Sequence, residues 1–587
     1  MAAINSKGAG TVTAKTIAAE TVAEAYLTLM AERGIEYLFA NGGTDFAPMI
    51  EAIAAINAKG TTPKLKVVSV GHENVATSMA MSYYLHTGRP QLVMFHVNVG
   101  TANGINALID AARDRVPIIF TAGRTPITEA GLKGSRDTGI HWNQEMFDQA
   151  SMVRELVKWD YELRNAEQLE AVVDRAIEIA TTEPCGPVYL SLPREVMAQK
   201  IDGFSFTAPP RRGFGTVPGP TEEQIAQAAT ILAKAERPLI IAQGAARLAP
   251  SAAAIGDFAE RFAIPIVEFR TNVNSVSSEH PMLVGFNPAP HLKDADAVLC
   301  LEADTPWIPT QHGNPPDDCK VIQLGVDPMF QRIPIRSFPC DVAVTGTPAA
   351  TLPLIGKAME ATATLKLIEA RRARIAAAKE TAKAEARANV EKAAKTTPID
   401  PVWAAHCISE AKGDDAIVVK EYSLILRYVT FKEARTCFGP PGAGGLGVGV
   451  GSAIGAKLAN PDKTVIAVVG DGSYMFGNPT AGHYVLRALD LPVLFIVFNN
   501  GMWEEVEGSA LRVFPDGHAA RANRVPVAQL GPNPHYEHLM AVYGGYGERV
   551  DRPEQLPGAL QRALHAVKVE KRQALINLIV GRRGAAP

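Results

Sequence analysis

Residues 470–503 read GDGSYMFGNPTAGHYVLRALDLPVLFIVFNNGMW, and two apolar runs in this stretch each end in a small polar cluster, Gly470-Asp471-Gly472 and Asn499-Asn500-Gly501. Asp471 offers hard carboxylate oxygens, Asn500 a neutral amide oxygen, and the glycines allow close backbone approach. A magnesium ion commonly takes one or two protein carboxylates and fills its octahedron with water and phosphate oxygens. One Asp, one Asn and a loop carbonyl therefore suit a magnesium diphosphate. Either cluster alone reads equally well as a helix cap or a turn. Together, with 26 residues between Gly472 and Asn499, they favour the ion. Upstream, Glu73 in VVSVGHENVATSMAM stands where a strand gives way to a helix; it is either a first-turn acid facing the helix dipole or an acid aimed at a ligand. His96 opens HVNVGTANG 23 residues later, and SSEHP supplies His280. Imidazoles titrate near neutral pH and suit proton transfer. His72, His141 and His291 read as polar residues of the surface or of the layer behind the site, with His141 able to line an entrance.

The elements that must position these residues alternate strand and helix. EYLFANGG, KVVSVGHE, QLVMFHVNVG, VPIIFTAGR and GPVYLSLP read as strands of a first parallel sheet. The Pro- and Gly-rich stretch at 207–220 reads as a linker. RPLIIAQGAAR, IPIVEFRTN, ADAVLCLEAD, CKVIQLGVDP and DVAVTGT give a second sheet, and DDAIVVKEYS, KTVIAVVGDGS, LPVLFIVFNN and QALINLIVG a third. Between these last two, an Ala-, Lys-, Glu- and Arg-rich segment predicts a long solvated helix. The fold class expected is α/β, with three tandem doubly wound parallel-sheet domains. Gly442, Gly444 and Gly447 have the spacing of a dinucleotide loop. The preceding CFGPP cannot be a buried strand, which removes that reading.

Charge excludes other classes. With 58 Lys and Arg against 61 Asp and Glu, there is no basic excess for nucleic acid. Six cysteines without a CxxC pair argue against zinc knuckles and a secreted disulfide framework. No apolar run is long enough for a membrane span, and the first 20 residues lack a signal-peptide core, so a cytoplasmic location is expected.

Gly-Asp-Gly followed by Asn-Asn, Glu73 at a helix start, and GGLGVGVGSAIG with Leu446 25 residues ahead of Asp471 resemble the thiamin diphosphate-dependent enzymes of the acetolactate synthase and benzoylformate decarboxylase type. The resemblance spans about residues 18–580. It implies a pyrimidine-binding domain (1–200), a central domain (218–356), a helical linker (357–397) and a diphosphate-binding domain (398–587). Thiamin diphosphate and Mg2+ are the implied cofactors. The implied metal ligands are Asp471, Asn500 and the Met502 carbonyl. Gly470, Gly472, Ser473 and Asn500 would surround the diphosphate, with Tyr422 and Ser423 of KEYS beside it. The Gly444 carbonyl would hold the 4′-amino group, Leu446 would bend the cofactor, and Glu73 would be the catalytic acid against the pyrimidine. His96 and His280 align with proton-transferring histidines of the decarboxylase branch, and Thr44 of ANGGTDFAP with a substrate-binding serine. These three, with Trp503, are expected to meet the substrate. TNVNSVSSEHPMLVGFNP lacks the glycine-rich pattern of flavin-bearing relatives, so FAD is not expected.

The activity so implied is making or breaking a carbon-carbon bond beside a carbonyl, by a non-oxidative 2-oxo acid decarboxylase with carboligase ability. An aldehyde or 2-hydroxy carbonyl compound is the other substrate class. Two alternatives stay open: an acetolactate synthase-like transferase condensing two 2-oxo acids, and a cofactor-binding homologue without catalysis. Glu504, Glu505 and Glu507 depart from the decarboxylase pattern. Family sites lie between subunits, which implies a homodimer or homotetramer; no nucleic-acid or membrane partner is expected.

Overall fold

The computed structural model describes residues 13–59, 65–210 and 219–581. Residues 211–218 of the expected linker lie outside the described residues. Three six-stranded sheets dominate, and every strand pair within them is parallel.

The first sheet uses Tyr37–Asn41, Lys66–Ser69, Gln91–Phe95, Ile118–Arg124, Asp160–Glu162 and Val188–Pro193. Their spatial order is second, first, third, fourth, sixth, fifth. The third sheet uses Ile417–Glu421, Cys437–Phe438, Val465–Gly470, Leu494–Asn499, Tyr546–Val550 and Ala574–Ile579, and it has the same order. The middle sheet uses Pro238–Ala242, Ile266–Val267, Leu283–Gly285, Ala297–Leu301, Lys320–Gly325 and Val342–Thr345. Its order is third, second, first, fourth, fifth, sixth. In the first and third sheets the order reverses between the first and third strands, so the crevice expected of a doubly wound sheet opens there, beyond the carboxyl ends. Central strands such as Gln91–Phe95, Val188–Pro193 and Leu494–Asn499 are buried throughout, as parallel strands covered by helices on both faces must be.

Contacts divide the chain into two compact units. One contains the described residues up to 210 together with 441–460 and 477–485; the other contains the central and remaining C-terminal residues. In the first, the helix Val448–Ala459 packs on Glu73–Thr87 with almost no space between backbones. A Cβ at Gly451 would fall 2.5 Å from the Val75 carbonyl oxygen, and one at Gly455 2.3 Å from that of Met79. These two glycines of the GGLGVGVGSAIG run thus serve a helix crossing that no side chain would permit. In the second unit, the expected long helix spans Leu365–Ala393 and is largely exposed. Arg371, one of three buried residues on it, donates through its guanidinium to the Leu232 carbonyl at 2.8 Å and to that of Phe262 at 3.1 Å, and also to the Ala235 carbonyl. One cation therefore answers the carbonyl ends of the helices Glu222–Lys234 and Ala249–Phe262.

QLVMFHVNVG is a strand only to Phe95. Val97–Arg113 is already a helix, which corrects the extended reading of its second half. The switch occurs at Val97, whose φ of 31° is unusual for a β-branched residue. His96 is thereby fixed at the strand-to-helix junction.

Candidate active site

Three successive turns meet at the carboxyl edge of the first sheet. After Tyr37–Asn41 come Thr44 and Asp45, after Lys66–Ser69 comes Glu73, and after Gln91–Phe95 comes His96. Asp45 and His96 thus leave the two strands that flank the switch point. His96 Nδ1 lies 2.5 Å from Asp45 Oδ1, and Asp45 Oδ2 accepts from the Val97 N–H at 3.4 Å. Glycines make the room. A Cβ at Gly43 would fall 2.1 Å from His96 Nδ1, and one at Gly123 1.7 Å from Asp45 Oδ2. The Asp45 hydrogen bond holds the His96 pKa above its ordinary range; burial opposes it, and the charges of Asp45 and Glu73 add to the rise.

The other ring nitrogen of His96, Nε2, faces the Gln144 amide at 3.3 Å. Gln144 belongs to a segment that also brings in His141, whose Nε2 lies 3.4 Å from the Thr44 hydroxyl. His141 is buried at 2% exposure, so of the two places its sequence context allowed, the surface or behind the site, it takes the second. Burial, then the Arg194 charge, push its pKa down. Arg194, itself buried, donates to Asp137 at 2.6 Å and to the Thr44 carbonyl at 3.4 Å. Two imidazoles displaced in opposite directions therefore share one pocket edge, an arrangement that separates proton donor from acceptor.

Glu73 is buried and begins the helix Glu73–Thr87, while His72 caps that helix through its Nδ1 on the Asn74 N–H. Glu73 Oε2 accepts from Asn103 Nδ2 at 3.2 Å. Its Oε1 lies 3.1 Å from where a Gly100 Cβ would stand. In the same unit, the helix Val97–Arg113 ties down the glycine-rich turn. Asn106 donates to the Leu446 carbonyl at 2.9 Å, Asp110 accepts from the Gly445 N–H at 3.0 Å, and Asp114 accepts from the Gly442 N–H at 3.0 Å. Gly444 and Gly447 have φ of 74° and 80°, a conformation that favours glycine.

The second unit repeats the pattern at the switch point of the third sheet. Gly470 ends one flanking strand, and a Cβ on it would stand 3.2 Å from Ser423 Oγ, just past the other. Tyr422 takes a left-handed φ of 65° there. Asp471 is buried; Oδ1 accepts from Gly472 N at 2.9 Å and Oδ2 from Gly501 N at 2.8 Å. The second bond joins the Gly-Asp-Gly and Asn-Asn-Gly turns directly. Asn500 Oδ1 accepts from Met502 N at 3.1 Å. Trp503 N donates to the Ala528 carbonyl and Leu530 N to the Gly501 carbonyl, so the bridge beside Met502 uses its neighbours and leaves the Met502 carbonyl out. Ser473 is buried next to Asp471. Trp503 lies over the turn itself: a Gly472 Cβ would fall 2.5 Å from its ring. Asn500 also donates to Glu504 Oε2 at 3.3 Å, whereas Glu505 is exposed.

These residues fit a hard cation and a phosphate group. Burial pushes the Asp471 carboxyl up to about 6, against the opposing pull of the Gly472 and Gly501 N–H groups. A carboxylate with such a desolvation cost is what a bound divalent cation relieves. One carboxylate, one amide oxygen and one main-chain carbonyl match magnesium chemistry.

His280 is placed differently. Its Nδ1 accepts from Met282 N at 3.2 Å, its Nε2 lies 3.8 Å from Glu260, and its carbonyl accepts from Lys379. Its neighbours come from the central domain and the long helix. Sequence reasoning missed Asp45, Gln144 and Arg194. Asp45 adjoins Thr44, already singled out, and its signal was an acid two residues after a Gly-Gly turn at a strand end.

Each of the two sheets gathers polar side chains at its own switch point: acids and imidazoles at the first, donors suited to a cation and a phosphate at the third. Family profiles agree. The N-terminal TPP binding domain of thiamine pyrophosphate enzymes matches residues 20–152, the central domain 225–355 and the C-terminal TPP binding domain 421–578. The chain belongs to the thiamin diphosphate-dependent enzymes. It is 24% identical over 543 residues to an acetolactate synthase large subunit of Lactococcus lactis, covering 91% of this chain and 89% of that protein. It is 26% identical over 568 residues to a benzoylformate decarboxylase of Pseudomonas aeruginosa, covering 93% and 97%. In fold it resembles the thiamine diphosphate-dependent 4-hydroxybenzoylformate decarboxylase of Rhodococcus jostii RHA1, with a TM-score of 0.75, 21% identity and coverage of 96% and 99%. Among the described residues, no helix is long and apolar enough to cross a membrane.

Proposed function

We propose that this protein is a magnesium-dependent, non-oxidative 2-oxo acid decarboxylase that also joins the resulting acyl unit to an aldehyde. The Asp45–His96 pair beside Glu73 carries this reading, because decarboxylation leaves a carbanion equivalent that a positioned imidazolium must protonate. Thiamin diphosphate, when bound, supplies a nucleophilic carbon and an electron sink for the charge left by carbon dioxide. Asp471, Asn500 and the Met502 carbonyl hold the magnesium. Gly470, Gly472, Ser473, Tyr422 and Ser423 hold the diphosphate, and Gly444 and Leu446 seat the pyrimidine end.

With the cofactor bound, Glu73 would hold a proton at its carboxyl group against the pyrimidine ring. His96 donates Nδ1–H to Asp45, which leaves Nε2 to deliver a proton to the reacting carbon. Thr44 orients the substrate carbonyl, and neutral His141 takes a proton through the Thr44 hydroxyl during product release. His280 keeps to its hydrogen bonds within the central domain, and Trp503 covers the diphosphate turn and borders the substrate. A homodimer is the minimum assembly, and the protein works in the cytoplasm.

Sequence similarity to acetolactate synthase large subunits supports a second reading, transfer to another 2-oxo acid. The test is product analysis over a panel of 2-oxo acids with thiamin diphosphate and Mg2+, with and without an aldehyde acceptor. Carbon dioxide release with aldehyde formation is expected, and acyloin when an acceptor is present. Products formed only from two 2-oxo acids would favour the transferase, and tight cofactor binding with no turnover would leave a non-catalytic homologue.

A further inference from the structure

A second cluster of ligand-type side chains lies outside this site, on the turn GPNPHYEHLM. His535, Glu537 and His538 place one ligand atom each within 4.8 Å of one another. The 3-10 turn Tyr536–His538 sets this up, because residues three apart eclipse in that geometry. The two imidazole rings accordingly stack at 5.2 Å with 10° between planes. Both turn a nitrogen toward the same carboxylate oxygen: His535 Nδ1 is 2.7 Å and His538 Nε2 3.9 Å from Glu537 Oε1.

The carboxylate is not a solvated surface acid. Glu537 is 8% exposed, and its other oxygen accepts from Asn577 Nδ2 at 2.6 Å. Asn577 is fully buried and accepts from Asn499 Nδ2 at 3.0 Å. The oxygen facing the histidines is therefore oriented from behind by a buried amide, as outer-shell partners orient metal-ligating carboxylates. The rings are open to solvent, with side-chain exposures of 59% and 78%, which leaves both an entry path and coordination positions for water.

We propose that His535, Glu537 and His538 form a binding site for a borderline divalent transition metal such as zinc. Two imidazoles and one carboxylate are a common zinc ligand set and a poor one for magnesium, which prefers oxygen alone. Bringing three atoms from within 4.8 Å onto one ion with bonds of about 2.0–2.2 Å asks for a rotation of the exposed His538 ring and for the 2.7 Å His535–Glu537 contact to open around the ion, with loss of the proton between them. The site differs from the magnesium site in ligand type, but the two are joined physically. Tyr536, between the ligands, reaches the Asp471 carbonyl at 3.4 Å, and the Glu537–Asn577–Asn499 chain ends beside Asn500.

The full chain, freed of metal by chelation and then held in excess Mg2+ with thiamin diphosphate, is titrated with Zn2+ by calorimetry and with Co2+ by visible absorption. One equivalent per chain is expected, with Co2+ bands typical of mixed nitrogen and oxygen ligation. His538→Ala and His535→Ala, both at exposed side chains and so safe for folding, should each weaken that equivalent at least about tenfold. The double variant should abolish it. No saturable binding in the parent, or binding that the double variant leaves unchanged, would overturn the proposal. The readout is metal binding, so it stands or falls apart from the proposed reaction.

Discussion

Asp45 and His96 stand on neighbouring strand ends, 2.5 Å apart, in a space that Gly43 and Gly123 keep clear of side chains. The pairing fixes which ring nitrogen faces the pocket and favours the charged ring. Asp45→Asn removes the largest cause of the raised His96 pKa, so that pKa must fall. If protonated His96 delivers the proton, the alkaline limb of the rate profile moves to lower pH in the variant. His96→Ala should cost about 10²–10⁴-fold, the usual share of a general acid. The sign for stability is also set: the pair stabilises the fold fully below the ordinary imidazole value of about 6.5 and loses that contribution as pH rises through the higher folded value. An NMR titration of the His96 ring that does not move in Asp45→Asn would refute the coupling.

Gly100 tests the seat of Glu73. An alanine there would put its Cβ 2.9 Å from Phe95 Cβ and 3.1 Å from Glu73 Oε1. Overpacking costs about 1–3 kcal/mol, and the helix gains back about 1 kcal/mol on replacing glycine, so the melting temperature should change little. The carboxylate, however, must shift by a few tenths of an ångström, and since a misplacement of about 1 Å costs about 10²-fold, turnover should fall severalfold. Gly100→Ala with normal turnover would show that Glu73 need not sit where it does.

The sheet cores were legible because central parallel strands are continuous apolar runs bounded by Gly, Asn or Asp. Six strands were not foreseen: Asp160–Glu162, Leu283–Gly285, Cys437–Phe438 and Tyr546–Val550 in the large sheets, and Thr13–Ile17 and Phe204–Ala208, which pair antiparallel in a small sheet of their own. The first four are edge strands and the last two bond only to each other, and sequences such as YGERV carry too little apolar pattern to announce themselves. The candidate metal and diphosphate residues could be named from sequence for the opposite reason, since each turn carries its candidate ligands close together in the chain. Asp45, Gln144 and His141 act through contacts across 51, 48 and 97 residues of chain, and spacing does not encode such contacts. The identical strand order of the first and third sheets was also invisible, because their sequences show no repeat.

Glu268 makes the stability of the second unit depend on pH. The side chain is 2% exposed and accepts from the Ser275 and Val276 N–H groups. Burial nevertheless pushes its carboxyl up to about 7. The folded state therefore retains a proton that the unfolded chain releases near 4.3. Stability from this group is full below the unfolded value and declines as pH rises through the folded one, by on the order of 3 kcal/mol at 1.36 kcal/mol per unit. Glu268→Gln keeps an acceptor for both N–H groups and has no proton to lose. Denaturant midpoints measured from pH 4 to 8 should fall in the parent and flatten in the variant; parallel curves would show that Glu268 is ionised in the folded protein.

The turn that holds Asp471 depends on the absence of a side chain at residue 472. Gly472 does not need a left-handed backbone, so alanine is refused there by the Trp503 ring alone, 2.5 Å from the added carbon. The backbone that carries the ring is pinned: the Trp503 main-chain N–H donates to the Ala528 carbonyl at 2.6 Å, and Trp503 stands at the N-cap of the helix Glu504–Val513. Gly472→Ala should therefore push the Gly472 N–H away from Asp471 Oδ1 and lower the apparent Mg2+ affinity of the thiamin diphosphate-loaded enzyme about tenfold or more. Trp503→Ala removes the obstacle, so the double variant should bind Mg2+ better than Gly472→Ala alone. The coupling in the cycle should fall within the range of about 0.5–3 kcal/mol seen for residues in contact. Strictly additive losses would mean that the ring does not set the turn, and that Trp503 acts elsewhere in the site.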